Sequence, residues 1–213
     1  MRRSDEYRRG TLFAAVLAAG AFFGAAGAVA ADGKTLYAAC VACHGPRGEG
    51  VPATGAPNIA AGEAWYLERQ LKNFATGLRG SQPGDSYGAT MKAGSAVLAS
   101  DRDRSTVAAY VASLPRVRAA AAAAVTDNGR NYFNAICSAC HGSSGLGNQA
   151  LGAPRLAGLP AVYLARQLAA FKSGRRGAQS GDRLGAQMRS IAAMLPDART
   201  EQDVIAYAAS LKP

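Results

Sequence analysis

Two short segments of this chain, Cys40-Val41-Ala42-Cys43-His44 and Cys137-Ser138-Ala139-Cys140-His141, place two thiols and an imidazole within five residues. That spacing suits a covalent c-type haem. Cys40 with Cys43, and Cys137 with Cys140, supply sulfurs for thioethers to the haem vinyl groups, and His44 and His141 reach the iron from one face. The two motifs use all four cysteines and both histidines of the chain. None is left for a disulfide, a cysteine nucleophile or a zinc site of another design.

The opposite face of each iron needs a second ligand. Excluding the initiator, the methionines are Met91, Met188 and Met194. Met91 and Met188 each lie 47 residues beyond their histidine, whereas Met194 matches Val97 and has no partner in the first half. A thioether is a soft neutral donor that favours reduced iron. Met91 and Met188 are therefore the expected distal ligands. The competing role for each is core packing, which methionine often performs, and packing is the expectation for Met194, the alternative ligand in the second half.

The motifs are 97 residues apart, and the same offset aligns much more without a gap. Gly45, Gly48 and Gly50 fall on Gly142, Gly145 and Gly147; Arg69-Gln70-Leu71 falls on Arg166-Gln167-Leu168. Phe74, Arg79-Gly80 and Tyr110 fall on Phe171, Arg176-Gly177 and Tyr207. A repeat this long reads as two similar domains rather than a solenoid unit. The divisions are residues 1–30, 31–115, a linker over 116–126, and 127–213.

Helical periodicity places short helices at 33–42 and 129–139, leading into the motifs. Amphipathic helices are expected at 63–76 and 160–173, and final helices at 105–114 and 201–211. Glycine-rich stretches at 45–55 and 142–152 read as loops, as do the surroundings of Met91 and Met188. No strand run is credible, so the fold class is all-α. Each domain has roughly 85 residues and a modest polypeptide core, to which a buried haem would add apolar surface. Around the site, the Pro46 carbonyl is the expected acceptor for the outer proton of His44, with Ser143 at the matching position. Arg79 and Arg176 are candidates to neutralise haem propionates. Trp65, Tyr66 and Tyr163 read as core residues more than electron-path residues, and Pro57 and Pro154 are expected to shape the chain near the histidines.

Residues 1–30 carry Arg2, Arg3, Arg8 and Arg9, then an apolar stretch ending in Ala28-Val29-Ala30. This is the pattern of a secretory signal peptide, with an uncleaved anchor as the alternative. Without it the chain has 20 basic and 12 acidic residues. Residues 31–115 are nearly neutral, with 8 basic and 7 acidic; residues 116–213 have 12 and 5. A basic second domain points to an acidic redox protein or an anionic membrane surface. Expected export and the absence of a recognisable binding motif make nucleic acid a poor candidate despite the net charge.

The chain resembles the tandem dihaem cytochrome c4 family. The resemblance rests on both Cys-x-x-Cys-His-Gly motifs, Ala153-Pro154-Arg155-Leu156-Ala157-Gly158-Leu159, Tyr163 through Leu168, Phe171-Lys172-x-Gly174-x-Arg176 and Gly185-Ala186-Gln187-Met188-Arg189. It implies two class I cytochrome c domains in tandem, related by a pseudo-twofold axis, and two covalently bound c-type haems. It also implies a periplasmic location and electron delivery toward a terminal oxidase such as the cbb3 type. The first half departs from the pattern at Ala56-Pro57-Asn58-Ile59-Ala60-Ala61-Gly62, and both halves carry extra residues near 100–104 and 196–200. The resemblance fits a free electron carrier passing electrons between periplasmic or membrane-bound redox proteins. The rival is a dihaem electron-accepting subunit of a periplasmic dehydrogenase such as flavocytochrome c sulfide dehydrogenase. A haem enzyme in its own right needs an open iron position. Matched Met91 and Met188 and the lack of a spare cysteine or histidine argue against it, so no catalytic residue is expected.

Overall fold

The computed structural model describes residues 31–60, 62–117 and 124–212. The expected signal segment at 1–30 and the centre of the expected linker, 118–123, lie outside the described residues.

The chain enters through α1 (Gly33–Tyr37), capped by Asp32, whose carboxylate accepts from the Thr35 amide. A 3-10 turn, Ala38–Cys40, leads into α2 (Val41–His44). Then come α3 (Ala64–Ala75), α4 (Ser86–Ser95) and α5 (Asp101–Ser113). The second half repeats this order. It has α6 (Asp127–Tyr132), a π-helical turn at Phe133–Cys137, α7 (Ser138–His141), α8 (Ala161–Lys172), α9 (Arg183–Ala192) and α10 (Ala198–Ser210). Among the described residues there is no strand, only isolated bridges between Val51 and Ala56 and between Asn148 and Ala153. The all-α expectation and the internal repeat are both realised. No described helix is long and apolar enough to cross a membrane.

Each half packs its first and last helices together, α1 on α5 and α6 on α10, with α3 and α8 closing the other side of α5 and α10. Tyr37, Leu98, Val107 and Val111 form the first core. Phe133, Leu164, Leu195, Val204 and Ala208 form the second. These residues recur at helical spacing, so one stripe of each helix is removed from water.

Three expectations need correction. The final helices begin earlier than 105 and 201, because Ser100 and Asp103 form a capping box and Asp197 accepts from the Thr200 amide. The extra residues of the repeat are thus first helical turns. Met91 and Met188 lie on regular helices, α4 and α9, rather than in flexible loops. Asp85 and Asp182 start those helices by accepting from the amides of Gly88 and Gly185. Met194 is 58% exposed, so it is not a core residue.

Candidate haem sites and the interface between them

The local fold first fixes the histidines. His44 ends α2 and His141 ends α7, and both are buried. Their carbonyls accept from Gly50 and Gly147 amides at 2.8 Å, folding the following loop back over the motif. Gly50 and Gly147 have φ of +82° and +84°, and a Cβ there would stand 2.6 Å from the Asn58 nitrogen or 2.7 Å from the Arg155 nitrogen. Glycine is required both by the left-handed backbone and by that close approach.

The loop closure brings a proline carbonyl to each imidazole. His44 Nδ1 donates to the Pro57 carbonyl at 3.0 Å, and His141 Nδ1 to the Pro154 carbonyl at 2.7 Å. A carbonyl can only accept, so Nδ1 carries the proton and Nε2 keeps its lone pair. Burial pushes both imidazoles below their ordinary pKa, with the carbonyl hydrogen bond opposing it. The result is a neutral, oriented imidazole, the form that ligates a metal. The acceptor is thus Pro57, not Pro46, and the second half uses the matching Pro154 rather than Ser143. The shaping role expected of both prolines acts through these carbonyls.

Cys40 and Cys137 are half-buried, Cys43 and Cys140 exposed, and all four thiols are free. Burial, then the neighbouring Cys140, pushes the Cys137 thiol up to about 11. Met91 and Met188 are half-buried at matching places on α4 and α9. In the second half Cys137, Cys140, His141 and Met188 share the wall of a cavity of about 450 Å³, with Phe133 and Leu164 among its apolar residues. That volume is within the range of sites that enclose a cofactor.

The same cavity extends to the boundary between the halves, where sequence reasoning missed most of the architecture. Gln70 Oε1 accepts from Arg79 at 2.8 Å and from Arg176 at 3.3 Å. Gln167 Oε1 accepts from Arg176 at 2.7 Å and from Arg79 at 3.2 Å. Exchanging each residue with its repeat partner reproduces the cluster, so the pseudo-twofold axis that the family resemblance implies passes through it. Outside it, Arg69 donates to the Gly152 carbonyl at 2.6 Å and Arg166 to the Gly55 carbonyl at 2.5 Å. Arg79 and Arg176 also lie over the Phe74 and Phe171 rings, at 4.5 and 4.2 Å. The Arg-Gln pair stands in both copies of the repeat, and that was the available signal.

Like charges so close and so dry need an anion. Burial and the adjacent Arg176 cation pull the Arg79 guanidinium down to about 10. At Tyr66, burial works to raise the phenol, but the Arg176 and Arg79 cations bring it below its usual value. Burial raises Tyr163, with Tyr66 adding to the effect. Arg79 Nε, Arg166 Nε, and Arg155 Nε and Nη1 are buried without hydrogen-bond partners. Orphaned guanidinium donors beside an apolar cavity, two thiols and an oriented imidazole fit a haem, whose propionates would supply the missing acceptors.

Two helical units, each with a thiol–imidazole turn and a methionine-bearing helix, define a tandem c-type cytochrome. The family described as Cytochrome c matches residues 30–115 and again 126–212. The chain is 33% identical over 175 residues to cytochrome c4 of Azotobacter vinelandii, covering 78% of this chain and 81% of that one. It is 34% identical over 190 residues to the thiosulfate dehydrogenase electron acceptor of Thiomonas intermedia (strain K12), covering 88% and 85%. Its fold matches reduced recombinant cytochrome c4 from Pseudomonas stutzeri with a TM-score of 0.65 at 31% identity, over 84% of this chain and 95% of that one. A shorter likeness, 37% over 130 residues, reaches the FixP subunit of the cbb3-type cytochrome c oxidase of Azorhizobium caulinodans, covering 59% and 43%. The chain belongs to the cytochrome c4 family. With two cytochrome c domains it takes two haem c groups, and it carries electrons between redox partners.

Proposed function

We propose that this protein is a periplasmic electron carrier whose two haems are each held by histidine and methionine. The observation that carries the reading is the duplicated Nδ1-to-proline-carbonyl bond, which readies Nε2 of His44 and His141. Met91 and Met188 stand in register on α4 and α9 as the distal donors, and Cys40, Cys43, Cys137 and Cys140 are the attachment points. The chemistry the group would supply when bound is one-electron exchange at iron.

The chain's residues do the rest. The proline carbonyls hold the imidazoles, the apolar walls exclude water, and buried Arg176 with half-buried Arg79 offers positive charge at the boundary. Exposed Arg130, Arg183, Arg189 and Arg199 give the second domain a basic surface for an acidic partner. The FixP likeness supports a cbb3-type oxidase as that partner, and an anionic membrane surface presents the same charge. A second reading, electron acceptor to a periplasmic dehydrogenase, is supported by the likeness to the thiosulfate dehydrogenase electron acceptor over 88% of this chain. The flavocytochrome c sulfide dehydrogenase subunit is the alternative partner type within that reading.

Met91→Ala and Met188→Ala test the ligand assignment separately. Each variant is expected to keep two haems but to bind carbon monoxide at one reduced iron, where the parent binds none. A Met188→Ala protein that still excludes carbon monoxide would remove Met188 from the proposal and bring Met194 forward.

A further inference from the structure

The boundary between the halves is symmetric at Gln70, Arg79, Gln167 and Arg176, and it breaks that symmetry at one place. Arg155 occupies the position that is Asn58 in the first half, and Glu63 the position that is Pro160 in the second. Asn58 donates to the Val117 carbonyl, so this side chain adds no charge to its site. The Arg155 side chain is 2% exposed, and its Nε stands 3.3 Å from Glu63 Oε1, a carboxylate delivered by the other half at the start of α3. The distance makes an ion pair, yet neither Nε nor Nη1 of Arg155 has a hydrogen-bond acceptor.

Arg155 directly follows Pro154, whose carbonyl orients His141, and it lines the same cavity as His141 and Met188. A cation held out of water there favours the less positive, reduced state of a redox centre, because little solvent screens it. Arg79 and Arg176 sit on the pseudo-twofold axis and act on both sites alike, so they do not separate the potentials. Glu63 opposes Arg155 in part; Arg116 faces that carboxylate, and burial holds it above the usual carboxyl range. We infer that Arg155, offset by Glu63, tunes the second haem's potential upward. The inference rests on the two-haem reading above and assigns a residue pair to one of its two sites.

The test is an equilibrium redox titration of the full holoprotein and three variants. Arg155→Asn, which copies the first half, is expected to lower one of the two potentials, that of the haem attached at Cys137 and Cys140. At fixed poise the ferrous-to-ferric ratio of that haem falls about tenfold, or 59 mV for one electron, while the other haem changes less than about twofold. Arg155→Lys keeps most of the parent value. Glu63→Gln moves the same potential upward, raising its ratio several-fold, and remains a test if Arg155→Asn does not fold. Arg155→Asn potentials unchanged within twofold, or both shifted equally, would overturn the inference, as would an unmoved or lowered potential in Glu63→Gln. Two methionine–iron bands alongside unmoved potentials defeat this inference alone, whereas a missing band in the parent defeats the ligand reading beneath it.

Discussion

Gly177→Ala is expected to destabilise the holoprotein by about 2–5 kcal/mol, a large part of the roughly 5–15 kcal/mol that holds such a domain together. Gly177 has φ +76°, and an added Cβ would lie 2.2 Å from the Gly185 carbonyl oxygen. The left-handed backbone costs an alanine about 1–2 kcal/mol. The clash adds more, because its target is backbone and no side chain can swing away. Gly185 lies in the first turn of the helix that carries Met188, and Gly177 follows Arg176 of the boundary cluster, so relief of the clash disturbs both. Gly80→Ala repeats the experiment in the first half, where the Gly88 carbonyl oxygen is likewise at 2.2 Å. Gly94→Ala is the control. It lies on exposed α4 with nothing within 4 Å, and alanine there stabilises by about 0.5–1 kcal/mol. Denaturant melts of the three variants check the ordering, and a Gly177→Ala loss below about 1 kcal/mol would contradict the backbone argument.

Removing the attachment chemistry has a still larger expected effect. With Cys137→Ser and Cys140→Ser together, the second haem is no longer tethered and its cavity of about 450 Å³ loses its guaranteed filling. Without the haem, the apolar residues lining that cavity face water instead of a partner, a loss comparable with the stability of a small domain. Met188 and Leu164 would collapse into the space or the half would unfold. The expected result is a chain with one haem, reduced helicity and proteolytic cleavage confined to residues after the linker. A doubly substituted protein with full helicity and a protected second half would show that the polypeptide core suffices without the group.

What the sequence disclosed and what it hid have separate physical causes. The Cys-x-x-Cys-His turns, the repeat and the α3 and α8 helices were legible because each is a local pattern. Helices α4 and α9 were not, since Gly88, Gly94 and Gly185 resemble loop residues. Gly88 and Gly185 are small because the capping carboxylates of Asp85 and Asp182 fold against them, leaving a Cβ about 2 Å from oxygen. The imidazole acceptors were missed because Pro57 and Pro154 lie 13 residues away and reach the histidines only after the Gly50 and Gly147 loops close. The cluster of Arg79, Gln70, Arg176 and Gln167 joins residues 88 and 106 apart. Periodicity along one helix cannot show it, although the Arg-Gln pairs stood in both repeats. The Arg155–Glu63 pair left even less trace, because it is visible only as a mismatch between the halves.

The central claim is that one chain carries two six-coordinate haems and passes single electrons through both. An optical redox titration of the purified holoprotein, with haem quantified per chain, tests it most directly. Two haems per chain, two one-electron waves, a far-red methionine–iron band from each oxidised haem and no carbon monoxide binding when reduced are the predicted result. A single haem per chain, or a parent haem that binds carbon monoxide readily, would contradict the account and place an open iron site in the protein.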